Sequence, residues 1–147
     1  MPTNKSFETT VPFRQFVTTS GGTVSFPLLT VNLIRPSGSR VALPLLFDTG
    51  ASVTTLRKDM YHLLGAAAWD VGTPVDVATA GGAAPVRQYA YRARLELFGK
   101  TVDCPVHLAD LPANPLYVGL LGRDGVFDEF GFGFWESTGE LHATAAP

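Results

Sequence analysis

The stretch Leu45-Leu46-Phe47-Asp48-Thr49-Gly50-Ala51-Ser52 runs three apolar residues straight into a carboxylate. An acid at the end of a buried strand is costly unless it is hydrogen-bonded or used. Thr49 brings a hydroxyl that can bond backbone across a tight loop. Gly50 permits positive φ or a close chain approach, and Ala51 is small enough for a crowded site. On these residues alone, Asp48 is either the cap of a turn after a central strand or a functional carboxylate. Further along, Leu120-Leu121-Gly122-Arg123-Asp124 repeats the pattern of an apolar strand running into glycine, here at the start of an expected helix.

Outward from the first stretch, 41–47 is apolar on both faces and reads as a central strand. It pairs as a hairpin with a long strand over 23–34, across the turn Arg35-Pro36-Ser37-Gly38. Downstream, 57–64 has helical spacing, with Met60, Leu63 and Leu64 on one face and Gly65 as the stop. Strand patterns resume over 71–79, 86–98 and 102–108, separated by the turns Ala80-Gly81-Gly82-Ala83 and Gly99-Lys100. A polar, proline-rich loop over 110–115 leads to the apolar run 116–121. Residues 123–130 read as a short helix with Val126, Phe127 and Phe130 on one face, and 132–135 with 141–144 as a closing hairpin. The 15 glycines and 11 prolines recur roughly every ten residues, the punctuation of a β-rich chain. The expectation is a single, mainly β domain over 1–147, with one or two short helices and no internal repeat or linker.

Composition narrows the function classes. Nearly half of the 147 residues are hydrophobic and 16% are charged, which favours a packed core over disorder. The formal net charge is -2 and the cationic residues are scattered, so no basic stripe marks a nucleic-acid binder. No apolar run approaches the roughly 20 residues that span a bilayer, and the first thirty residues lack an apolar leader core. The expectation is no nucleic acid, no membrane and a cytoplasmic location. Cys104 is the single cysteine and lies in an alternating apolar stretch, so it reads as a buried, inert thiol. His62, His107 and His142 lack metal spacing and read as structural or solvated. Ser52 has no Gly-x-Ser-x-Gly setting, which sets serine catalysis aside. Trp135, with Phe132 and Phe134, reads as core or subunit interface rather than a ligand cage.

The two apolar-to-glycine segments, with a glycine-bearing hairpin around 80–84 between them, resemble the retropepsin-like aspartic peptidases in order and spacing over about 23–136. Eight arginines against three lysines, with many alanines, suggest a bacterial member of that family. The resemblance implies an all-β, retropepsin-like closed barrel with a flap hairpin and a short C-terminal helix. It also implies an aspartic endopeptidase that cleaves internal peptide bonds of a peptide or protein substrate, with no cofactor and no metal. One Asp-Thr-Gly loop per chain implies a homodimer in which Asp48 of each copy supplies half of a two-carboxylate site. By the same resemblance Thr49 bonds across the dimer, Gly50 presents its carbonyl to substrate beside Ala51 and Ser52, and Gly81 and Gly82 let the flap backbone close. Gly122 lets the second strand approach the active loop, and Arg123 makes a structural ion pair with Asp59, Asp128 or Glu8. Ser52 departs from the retroviral pattern, where the residue at this place is acidic. A non-catalytic, dimeric peptide-binding or assembly domain of the same fold is the alternative.

Overall fold

The computed structural model describes residues 7–82 and 84–147. The chain is almost entirely β: β1 Thr9–Pro12, β2 Arg14–Val17, β3 Thr23–Phe26, β4 Leu28–Ile34, β5 Arg40–Phe47 and β6 Thr54–Arg57 come first. A 3-10 helix Lys58–Leu64 follows, then β7 Thr73–Val77, β8 Val86–Leu97, β9 Lys100–Ala109, β10 Gly119–Leu121, β11 Phe130–Trp135 and β12 Glu140–Ala145. The main sheet runs β4-β5-β10-β6-β9-β8, and β8 returns to pair with β4, which closes the ring. A closed sheet leaves no free edge within the ring.

Residues that alternate along the strands fill the interior, as the two-residue period requires. Val31 and Leu33 of β4, Leu45 of β5, Leu95 of β8, Val106 and Leu108 of β9 and Leu121 of β10 are all at most 1% exposed. β8 has two jobs. Its far end, Arg94 to Glu96, pairs with Ile34 to Asn32 and closes the barrel, whereas its first residues pair with β7 beyond the ring. A second sheet, β1-β12-β11, packs on the barrel through aromatic side chains. Phe47 sits among Phe127, Phe132 and Phe134 with ring centroids 5.1, 4.7 and 5.0 Å away.

The all-β barrel expected from the sequence is present, and several local expectations need correction. The long strand over 23–34 breaks at Pro27, which has no N–H for the ladder. β3 then pairs with β2 in a separate hairpin, while β4 joins the barrel. The helix expected over 57–64 is a 3-10 helix ended by Gly65 at φ 74°. The C-terminal helix expected over 123–130 is absent; the segment is a chain of turns. Gly125 adopts φ 73° and leaves no room for a Cβ against Cys104, and the backbone makes only turn bonds, from Val126 and Phe127 N–H to the Arg123 carbonyl and from Glu129 N–H to the Val126 carbonyl. Val126 and Phe130 are nevertheless buried there, so the apolar positions were read correctly and their conformation was not. Strands β1 and β2 were not anticipated. Among the described residues, no helix is long and apolar enough to cross a membrane.

Candidate active site

β10 lies between β5 and β6, parallel to β5 (Leu121 opposite Phe47) and antiparallel to β6 (Gly119 opposite Leu56). This insertion brings together the two segments that the sequence singled out. Asp48 N–H donates to the Leu121 carbonyl at 3.1 Å, Arg123 N–H to Ala51 at 3.0 Å, and Asp124 N–H to Ser52 at 2.8 Å. Gly122 N–H donates to the hydroxyl of Thr54, which is fully buried. A Cβ on Gly122 would lie 2.6 Å from the Thr54 nitrogen, and one on Gly119 would lie 2.9 Å from a Leu56 methyl. Only glycine lets β10 pass so close to β6 at both ends.

Asp48 thus stands at the end of a barrel strand, immediately after the Phe47 ring held among three others. Its Oδ1 accepts the Gly50 N–H at 2.9 Å, and its carbonyl accepts the Ala51 N–H at 3.2 Å. The carboxylate is half-buried, while Thr49 beside it is exposed. Among the described residues, the Thr49 hydroxyl bonds to nothing and the Gly50 carbonyl accepts no backbone hydrogen bond. Among the described residues Arg123 forms no ion pair: its side chain is exposed, and Asp59 pairs instead with Arg57 at 2.6 Å. The Arg57 guanidinium holds the Asp59 carboxyl below its ordinary value.

Opposite the loop stands the hairpin of β7 and β8. Its base is fixed by Tyr91, whose hydroxyl accepts the Gly72 N–H at 2.9 Å and donates to the Trp69 carbonyl at 2.8 Å. Its tip is open: a Cβ on Gly81 or Gly82 would meet nothing within 4 Å, and Gly82 has φ 67°. Ala83, the last residue of the expected turn, lies outside the described residues. A cleft of about 340 Å³ separates the arm of this hairpin from the Asp48 loop, with Gly50, Ala51 and Ser52 along its wall.

His107 of β9 also lines this cleft, its Nδ1 2.9 Å from Gln88 Oε1 of the hairpin arm. By sequence alone His107 falls among the structural or solvated histidines. Its apolar neighbours, Val106, Leu108 and Ala109, were the signal that position 107 lies on a covered strand face. His62 is exposed, and His142 pairs with Glu140 at 3.1 Å. Cys104 is buried as expected, and desolvation pushes its thiol up to about 12. Phe132 is half-buried against the core, whereas Phe134 and Trp135 are exposed. Among the described residues, no group of three or more His, Cys, Asp or Glu side chains is placed to hold a metal ion.

A family model described as aspartyl protease matches residues 34–124, a span that contains both the Asp48 loop and the Gly122 strand end. The chain belongs to the aspartyl protease family. The fold of this aspartyl protease-family chain is also that of a retropepsin-like aspartic protease from Rickettsia conorii. The two are 20% identical, with a TM-score of 0.55 over 90% of this chain and 98% of that one. The EIAV protease complexed with the inhibitor HBY-793 matches at 23% identity and a TM-score of 0.47, over 67% of this chain and 82% of that one. No curated protein sequence matches the chain. The hairpin of β7 and β8 is the glycine-tipped hairpin expected around 80–84.

Proposed function

We propose that the chain is an aspartic endopeptidase that works as a homodimer, with Asp48 from each copy forming one shared catalytic pair. The observation that carries this reading is that Asp48 is the one carboxylate lining the cleft among its described residues. Two carboxylates brought together across a two-fold axis share a proton, because both cannot easily be ionised at close range. The ionised member takes a proton from water as the water attacks the scissile carbonyl, and the protonated member donates to the carbonyl oxygen. The exposed, unpartnered Thr49 hydroxyl suits a bond to the opposite loop, and the free Gly50 carbonyl suits a substrate N–H. An extended peptide enters as an added strand between the loop and the flap, with Ala51 and Ser52 alongside it. Gly81 and Gly82 allow the flap to close over it. Gly122 supports the loop by close approach, and Arg123 supports it through its backbone N–H rather than through an ion pair. The reaction calls for no metal or organic cofactor.

Poisoning tests the shared site. Wild-type and Asp48→Ala chains are mixed equally, unfolded together and refolded at constant total protein, with exchange followed by a tag. Random pairing leaves about one quarter of the dimers active if each site needs both carboxylates, and about one half of the activity if each chain carries its own site. Surviving activity near one half refutes the shared pair. Hydrolysis that Asp48→Ala does not reduce refutes the peptidase assignment itself.

A further inference from the structure

Among the described residues, His107 is the one buried ionisable side chain in the cleft that the proposed chemistry leaves unused. It is 9% exposed, although it sits on the face of β9 opposite Val106 and Leu108, where Asp103 further along the strand is open to solvent. What covers it is the flap arm on one side and β6 on the other: its strand partners are Ala90 and Thr55. Gln88, two residues before Ala90 and on the same face of β8, reaches the ring at 2.9 Å. An amide oxygen only accepts, so Nδ1 carries the hydrogen, and in the neutral ring Nε2 is left as a bare acceptor.

No group among the described residues bonds that Nε2. Among the described residues no fully buried side-chain nitrogen or oxygen lacks a partner, so Nε2 keeps contact with the open space of the cleft. Thr55 adds to the same wall and spends its hydroxyl hydrogen on the Val53 carbonyl at 3.1 Å, leaving lone pairs towards the space. Burial lowers the imidazole's pKa, against an opposing pull from Asp124, which favours the uncharged ring. This part of the cleft therefore offers two acceptors, His107 Nε2 and the Thr55 hydroxyl oxygen, beside the Gln88 carboxamide nitrogen.

We propose that His107, oriented by Gln88, is a specificity-determining residue: its Nε2 accepts a hydrogen bond from a substrate side chain that carries a neutral donor, a hydroxyl or a carboxamide. The proposal rests on the peptide-binding reading of the same cleft. When the flap closes over an aliphatic side chain at this place, Nε2 loses its water and gains no partner. A site built around a hydrogen bond discriminates against the analogue that lacks it more strongly than an apolar pocket discriminates by size. A lysine or arginine at this place would bury a charge with one carboxylate lining the described cleft, Asp48, which the chemistry occupies, while Asp124 acts from outside it.

The test uses the full chain and a positional peptide library with near-isosteric pairs, Thr against Val and Asn against Leu, at each position. Hydrolysis is read for the wild type and binding for Asp48→Asn. The expected result is one position at which the donor member of each pair is favoured about tenfold. In His107→Leu that preference disappears or inverts, and in His107→Gln, which keeps an acceptor, part of it returns. If His107→Leu does not fold, Gln88→Leu reads the same point, since it frees the ring and should weaken the preference. A preference unchanged in these variants, an enrichment of Lys or Arg, or no position that discriminates the pairs overturns the proposal. Binding with a His107-dependent preference but without hydrolysis would instead overturn the peptidase reading and leave this one standing. Hydrolysis without such a preference would do the reverse.

Discussion

Glycine serves opposite ends at the strand end beside the active loop and at the flap tip. At Gly119 and Gly122 there is no space: a side chain would enter the backbone or side chains of β6. At Gly81 and Gly82 there is nothing but space, and what Gly82 supplies is its φ of 67°. One pair fixes the loop that carries Asp48 by crowding, and the other leaves a backbone uncrowded, as the proposed closure requires. Rigid placement of the reacting group and a mobile cover are the two requirements of a cleft that must hold a peptide and exclude water.

The largest expected effect removes chemistry from the rigid side without touching its packing. Asp48→Asn keeps the shape of the side chain and the acceptor for Gly50 N–H but cannot act as a base. Peptide hydrolysis should fall by about 100- to 10,000-fold, with the urea midpoint close to wild type. Substantial turnover in a carefully purified variant would remove Asp48 from the site. Next comes Gly122→Ala, which forces a methyl against Val53 and Thr54. It should cost about 3 kcal/mol of stability by denaturant titration, with activity lost alongside. A variant as stable as the wild type would show that β10 has room to shift.

At the flap, the same type of residue should respond in the opposite way. Gly82→Val disfavours the left-handed backbone by about 1–2 kcal/mol, and with nothing packed against the tip the turn can relax out of that conformation. If closure needs that conformation, kcat/KM should fall roughly tenfold, while the urea midpoint moves little. Equal losses of stability and turnover would make the turn structural only. The smallest effect is expected for Gly81→Ala, where φ is not positive and the site is open: stability should stay within about 0.5 kcal/mol of wild type.

The crowded region was more legible in the sequence than the open one. An acid directly after Leu45-Leu46-Phe47, and a second apolar run ending on Gly122, are local patterns that burial enforces, and the two do meet in space. The barrel strands were legible for the same reason, since Leu29, Val31 and Leu33 or Leu43, Leu45 and Phe47 alternate inward. The turns after Gly122 were not, because Val126, Phe127 and Phe130 have helical spacing. What defeats the helix is the tight contact of Gly125 with Cys104, and no local pattern announces a contact with a strand twenty residues away. The role of His107 was hidden likewise, since its partner Gln88 comes from another strand of the barrel. Arg123 was assigned an ion pair through resemblance, and here Arg57 takes Asp59 instead.

The place of β10 in the sheet has a consequence for how the chain reaches its native state. Leu45 and Gly119 become neighbours only after the whole of β6 to β9 has been laid down, and β6 must already stand apart from β5 for the strand to slide between them. Closing so long a loop costs entropy before any contact repays it, and parallel pairing between distant segments is slow for that reason. The backbone bonds that position Asp48 come from Leu121, Arg123 and Asp124, so the active loop acquires its geometry late in folding. A newly made chain would pass through most of its barrel before the loop that carries Asp48 took its native shape.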